Sequence, residues 1–193
     1  MIPLFVVPSW QVYYDNHQTN KAKFIEHLEN YKKHNISLPN LKSSGSFITN
    51  PSIHIDPVYE DLVEFLLSAI TRIKPEYNLA SSLNLGMSCM YGCITAQGGT
   101  WHNEMQGDDF LNGIYFLNTP QKAGQLCIKH DVSDNAYHRK LYTENENQIN
   151  TNQKKVPMPE GGIMFYPSYL ETFTTPNLEQ DNRYLIHFTF KLI

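Results

Sequence analysis

Apolar residues recur at two different periods along this chain, and the change falls near residue 83. Before that point the spacing is helical. Thr19 is placed to cap a helix over 20–33, with Phe24, Ile25, Leu28 and Tyr31 along one face. Lys32 and Lys33 end it where the helix dipole favours cations. Asp56-Pro57 is a second start signal, a capping carboxylate followed by proline in the first turn. Val58, Leu62, Phe65, Leu66, Ala69, Ile70 and Ile73 then recur at steps of three and four until Pro75 stops the run.

From Leu83 onward the period is two. Leu85 to Thr95, Leu111 to Leu117, Gln125 to His130, Gly162 to Tyr166, Glu171 to Thr174 and Arg183 to Leu192 read as strands. Gly98-Gly99, Thr119-Pro120, Pro159 to Gly162 and Pro176-Asn177 supply turns. Helices followed by many antiparallel strands predict a mainly β (α+β) protein, with two N-terminal helices packed on one sheet of a barrel or jelly roll. One domain is expected over 1–193, with a helical and extended layer at 1–82 and a β core at 83–193. The stretch from Asp131 to Lys155 breaks the pattern. It is nearly all polar, and it reads as a lid or a contact surface.

Composition narrows the function classes. Aromatics make up 12% of the 193 residues, enough for one sizeable core, while charged residues are only 18%, too few for a coiled coil or a disordered acidic chain. The net charge is −4 and no basic run exceeds a Lys pair, which argues against a nucleic-acid partner. Eighteen Asn and nine Gln carry much of the polarity. Cys89, Cys93 and Cys127 cannot all pair within one chain and read as reduced core residues. Met1 to Val7 is apolar but lacks a charged leader region, and Pro3 and Pro8 interrupt it. With no stretch long enough to span a bilayer, a cytoplasmic protein without a membrane partner is expected.

The sharpest chemical constellation is His102-Asn103-Glu104, between Gln97-Gly98-Gly99-Thr100-Trp101 and the strand Leu111 to Leu117. On an extended chain residues 102 and 104 point to the same side, so an imidazole and a carboxylate can share one cation. A His-x-Asp/Glu pair with one distant ligand is the facial arrangement of non-haem Fe(II) sites, which leaves three positions open. No phosphate loop, dinucleotide fingerprint or nucleophile elbow competes with it.

The C-terminal half adds Pro159-Glu160-Gly161-Gly162, then Phe165-Tyr166-Pro167-Ser168-Tyr169-Leu170, Pro176-Asn177 and Arg183-Tyr184-Leu185-Ile186. Together with Pro3-Leu4-Phe5, Ser44-Gly45-Ser46 and Asn112 to Leu117, these segments resemble the 2-oxoglutarate/Fe(II)-dependent oxygenase superfamily. The similarity is to its short prolyl-hydroxylase-like branch, common in marine bacteria and their phages. The resemblance implies a double-stranded β-helix, with Fe(II) and 2-oxoglutarate as cofactors. It implies His102 and Glu104 as metal ligands, and Arg183 and Tyr115 as contacts to 2-oxoglutarate. Two positions depart from the pattern: the distal metal-binding His falls on Thr172, and the second Tyr of a Tyr-Tyr pair falls on Phe116. A hydroxyl is a poor Fe(II) ligand beside an imidazole, so a third ligand would have to come from Glu171 or His187.

Two functional classes follow from this. One is an oxygenase that hydroxylates a peptide or a small molecule. The other is a catalytically silent jelly roll, a binding or structural subunit of a phage particle, meeting a protein partner or its own copies through the 131–155 insertion.

Overall fold

The computed structural model describes residues 7–38, 42–80, 82–103, 109–129 and 153–193. Glu104, Asp108, the Pro3 to Phe5 opening and residues 130–152 of the polar insertion lie outside these segments. Ten strands form two antiparallel sheets. The larger runs β1 (Trp10–Tyr13), β8 (Gly162–Pro167), β5 (Leu111–Asn118), β10 (Arg183–Leu192), β3 (Leu85–Thr100) and β2 (Ser44–Ile48). The smaller runs β4 (His102–Asn103), β9 (Glu171–Thr174), β6 (Leu126–Lys129) and β7 (Gln153–Val156). This is the jelly roll expected from the sequence.

Period-two alternation on the central strands makes two cores, one on each side of the large sheet. Tyr115 and Leu117 on β5, with Ile186, Phe188 and Phe190 on β10, join Phe24, Leu28, Leu62, Leu66 and Ile70 of the helices. Ile114 and Phe116, with Leu185, face the other way and meet Trp101, Leu126 and Tyr166 between the sheets. Because β5 is buried on both sides, Ile114 to Leu117 form a continuous apolar run instead of an alternating one. Ser88 forms a bulge opposite Thr189 and Phe190, since Thr189 pairs with Cys89 and Phe190 with Met87. Met87 therefore packs on the helix side, not on the face of Cys89 and Cys93 as simple alternation suggests. All three cysteines are buried and unpaired.

Both helices form, with corrected starts. The first, α1, spans His17–His34, so Thr19 lies inside it and Asn16 takes the cap position. The physical reason is His17. Its Nδ1 is 2.7 Å from the Tyr115 hydroxyl and its Nε2 is 3.3 Å from Glu160, which Lys21 also holds at 2.7 Å. These ties pin the first turn to the large sheet. Gly161 permits the contact: its φ is +82°, and a Cβ there would stand 3.1 Å from the His17 ring. Asp56 caps a short 3₁₀ turn, Pro57–Tyr59, by accepting from the Val58 N–H, and α2 follows at Glu60–Ile73. Lys74–Tyr77 continues as one more 3₁₀ turn, because a proline near the start of a turn costs no hydrogen bond. Among the described residues no helix is long and apolar enough to cross a membrane.

Sequence periodicity does not find β1, β2, β4 or β7. The last of these matters most, because residues 153–155 of the polar insertion extend the small sheet through pairing with β6.

The closest backbone approach in the core is at Gly113, paired with Phe188 on one side and Phe165 on the other. A Cβ there would lie 2.0 Å from the Phe188 ring. Gly113→Ala is expected to destabilise the fold by about 1–3 kcal/mol through overpacking. Thermal melts would show the loss, and adding Phe188→Leu should recover part of it.

Candidate functional site

Register decides which side chains can meet. His102 pairs with Phe173 and Asn103 with Thr172, so His102, Phe173 and Glu171 share one face of the small sheet. Thr172 and Thr174 share the other face, which looks into the space between the sheets. The His102 Nε2 lies 3.0 Å from the Glu171 carboxylate, and the imidazole stacks on Phe173 at 5.7 Å with a 9° tilt. Lys129 holds the other Glu171 oxygen at 2.9 Å. That hydrogen bond, with the charges of Lys129, His102 and Lys42, outweighs partial burial and keeps the Glu171 carboxyl below its usual range. An open cavity of about 290 Å³ adjoins the pair, lined by Lys42, His102, Phe173 and Thr175 among others.

Arg183 leaves β10 on the inner side. It is fully buried, and every bond it makes ends on a neutral acceptor. Nη1 donates to the Ala123 and Thr175 carbonyls, the latter at 3.0 Å, and Nη2 donates to the Thr174 hydroxyl at 2.6 Å. Its Nε has no partner, and no described carboxylate reaches it. Burial without a counter-charge pulls the guanidinium pKa down to about 10, still well above neutrality. Thr174 and Thr175, which receive these bonds, also line the cavity beside His102. A single layer of chain thus separates the guanidinium from that space.

His187 faces inward four residues further along the same strand. It is 1% exposed and neither ring nitrogen has a partner. The ring packs at 4.8 Å on Tyr91 and at 5.5 Å on Trp101. Burial lowers its pKa from 6.5 to about 3, so it is neutral at physiological pH. Thr172 is also buried, and its hydroxyl lies 3.0 Å from the Tyr166 hydroxyl.

These positions revise the expected site. Tyr115 does not face the interior; it pairs with Ile186, points to the helices and bonds His17. The reason is parity: Arg183 and residues 185 and 187 take one side of the sheet, and Tyr115 lies opposite. Glu171, one place out of register with Thr172, meets His102 because His102 is turned to the same face. His187 points inward but stands apart from His102. Glu104 lies outside the described residues. Among the described residues no group of three or more His, Cys, Asp or Glu is arranged to hold a metal.

A model of 2OG-Fe(II) oxygenases matches residues 91–189, from the middle of β3 into β10. The chain belongs to this family. No curated protein matches it. Among solved structures, the fold is similar to a prolyl-4-hydroxylase from Pseudomonas putida, with TM-score 0.66 and 11% identity over 96% of this chain and 93% of that one. It is also similar to HygX from Streptomyces hygroscopicus, solved with nickel and 2-oxoglutarate, with TM-score 0.60 and 12% identity over 96% and 83%. A third is a prolyl hydroxylase from Trichoplax adhaerens in complex with a hypoxia inducible factor peptide fragment, with TM-score 0.62 and 13% identity over 95% and 83%.

The buried imidazole has a consequence for stability. His187 has a pKa near 3 in the fold and near 6.5 when solvated, so between those values the unfolded chain binds a proton that the fold does not. Stability is therefore fully present above about pH 6.5 and falls with acidification, by up to about 1.4 kcal/mol per pH unit from this group. Urea midpoints measured from about pH 7 to about pH 4 should show a shallower decline for His187→Phe than for the parent chain.

Proposed function

We propose that this family member is a 2-oxoglutarate- and Fe(II)-dependent hydroxylase of a peptide or a small molecule, with Arg183 holding the distal carboxylate of 2-oxoglutarate. The observation that carries the reading is the Arg183 guanidinium itself. It is buried, still charged, bonded only to neutral acceptors, and left with an unsatisfied Nε. A cation held in that way fits an incoming carboxylate, and its planar fork suits one better than a lysine would.

The donors that the described residues offer iron are an imidazole and a carboxylate at His102 and Glu171, 3.0 Å apart on the face of the small sheet opposite Arg183. Such a set suits Fe(II), which supplies open positions for the co-substrate and oxygen when bound. The chain's own contribution is to hold the His102 ring through Phe173 and Glu171, and to keep the Arg183 fork aimed through Thr174 and Thr175. Lys129 competes with a metal for Glu171, so iron must displace an existing ion pair to bind there. The substrate class is supported by the fold relatives, of which one is solved with a peptide fragment and another with hygromycin B.

Anaerobic loading with Fe(II), followed by oxygen and 2-oxoglutarate, tests the proposal through succinate formation. Turnover is expected, and His102→Ala is expected to lower it at least about a hundredfold. Iron-loaded protein that forms no succinate with any peptide or small molecule, or on its own, would refute it.

A further inference from the structure

The open cavity beside His102 holds about 290 Å³, and its wall has a consistent chemical character. Small-ligand pockets run from roughly 300 Å³ upward, so the space suits one small molecule. Lys42 is the one Lys or Arg in the wall, and among the described residues no Asp or Glu lines it. The Glu171 carboxylate beside it has both oxygens engaged, one by His102 at 3.0 Å and one by Lys129 at 2.9 Å. Lys42 is among the charges that hold that carboxyl low, which brings its ammonium close to the pair. Most other polar groups of the wall are already committed. The Thr174 hydroxyl receives Arg183 and the Trp101 N–H, and the His102 Nδ1 faces the Asn103 carbonyl at 3.0 Å. Thr175 differs. Its hydroxyl accepts from the Gln125 N–H at 2.8 Å, so its own proton is left to donate. Phe173 and Pro176 add flat apolar surface. A cationic ligand would meet the charge of Lys42, and a neutral polyol would set its hydroxyls against Phe173 and Pro176. An anion with a flat apolar body complements both parts of the wall.

We infer that this cavity binds a small aromatic acid, its anionic group on Lys42 and the Thr175 hydroxyl and its ring against Phe173 and Pro176. The site is distinct from the interior. Arg183 bonds Thr174 and Thr175 but does not line the cavity. Binding there needs neither iron nor 2-oxoglutarate, so the inference does not rest on the hydroxylase reading. An ammonium is a point charge and sets no planar geometry, so a carboxylate and a phosphate ester share the chemistry that it recognises.

Ligand-observed NMR titration of the metal-free, full-length protein with phenylacetate, phenyl phosphate, phenylacetamide and acetate tests this. At least one of the two aromatic acids is expected to bind about tenfold more tightly than phenylacetamide, which keeps the ring without the charge. The same margin is expected over acetate, which keeps the charge without the ring. The tighter of the two acids identifies the anionic group. Lys42 is exposed, so Lys42→Met should leave the thermal melt unaltered while lowering affinity for that acid about tenfold. Lys42→Arg, which keeps the charge, is expected to retain most of the affinity. Equal affinity for the acids and for phenylacetamide, or unaltered affinity in Lys42→Met, would overturn the inference. So would displacement of the bound acid by an equal concentration of 2-oxoglutarate, or binding of none of the four probes.

Discussion

Arg183 starts on the central region of one sheet and ends on the other, and much of the molecule is arranged around that fact. A guanidinium taken wholly out of water must have its N–H groups received. Here Thr174, Thr175 and the Ala123 carbonyl receive them, so one side chain joins β10 to the end of β9 and to the turn before β6. The Asn177 amide nitrogen donates to the Thr95 carbonyl, on the residue paired with Arg183, and reinforces the same junction. The two sheets are thereby locked in register at one end. That end also carries Arg183, the one buried Lys or Arg among the described residues.

The helix layer follows from the opposite face of the same strands. Each inward residue on β10 is followed by an outward one, and Tyr184, Ile186, Phe188 and Phe190 need an apolar cover. Leu28 of α1 packs so close over β3 that a Cβ on Gly92 would stand 2.2 Å from it. His17 and Tyr115 lie within this layer, not within the site. The helices thus cover the face of the large sheet opposite Arg183 and His187.

Strands β3, β5, β6, β8, β9 and β10 were legible in the sequence, as was the amphipathic run from Leu62 to Ile73. The strands β4 and β7 were not. One has two residues, and the other, Gln-Lys-Lys-Val, owes its conformation to pairing with β6 and not to its own propensity. The family was legible too, because turn residues and the Arg183 region are local signals. The site was legible only in part. Residue types pointed to His102, Glu171, Arg183 and His187, but which of them face one another depends on strand parity across pairs. A one-residue difference in pairing exchanges the two faces. Reading Tyr115 as a co-substrate contact failed on that point alone, since no local feature of the sequence reports the parity of β5 against β10.

The same parity explains why a buried guanidinium and an imidazole–carboxylate pair lie on opposite sides of the small sheet. Trp101 and His102 are adjacent, so only one of them can face the interior, and the indole does. Burying the indole brings more apolar area out of water than burying an imidazole, so hydrophobic burial favours that choice. His102 is then left to Glu171 and Phe173 on the other face. Inside, Thr172 finds the Tyr166 hydroxyl and needs no metal to be satisfied. Among the described interior atoms, Arg183 Nε, both His187 ring nitrogens, Asn112 Oδ1 and Trp101 Nε1 have no hydrogen-bond partner. The His102–Glu171 pair and the buried Arg183 are therefore separate sets of side chains on opposite sides of the small sheet, which substitution can change independently.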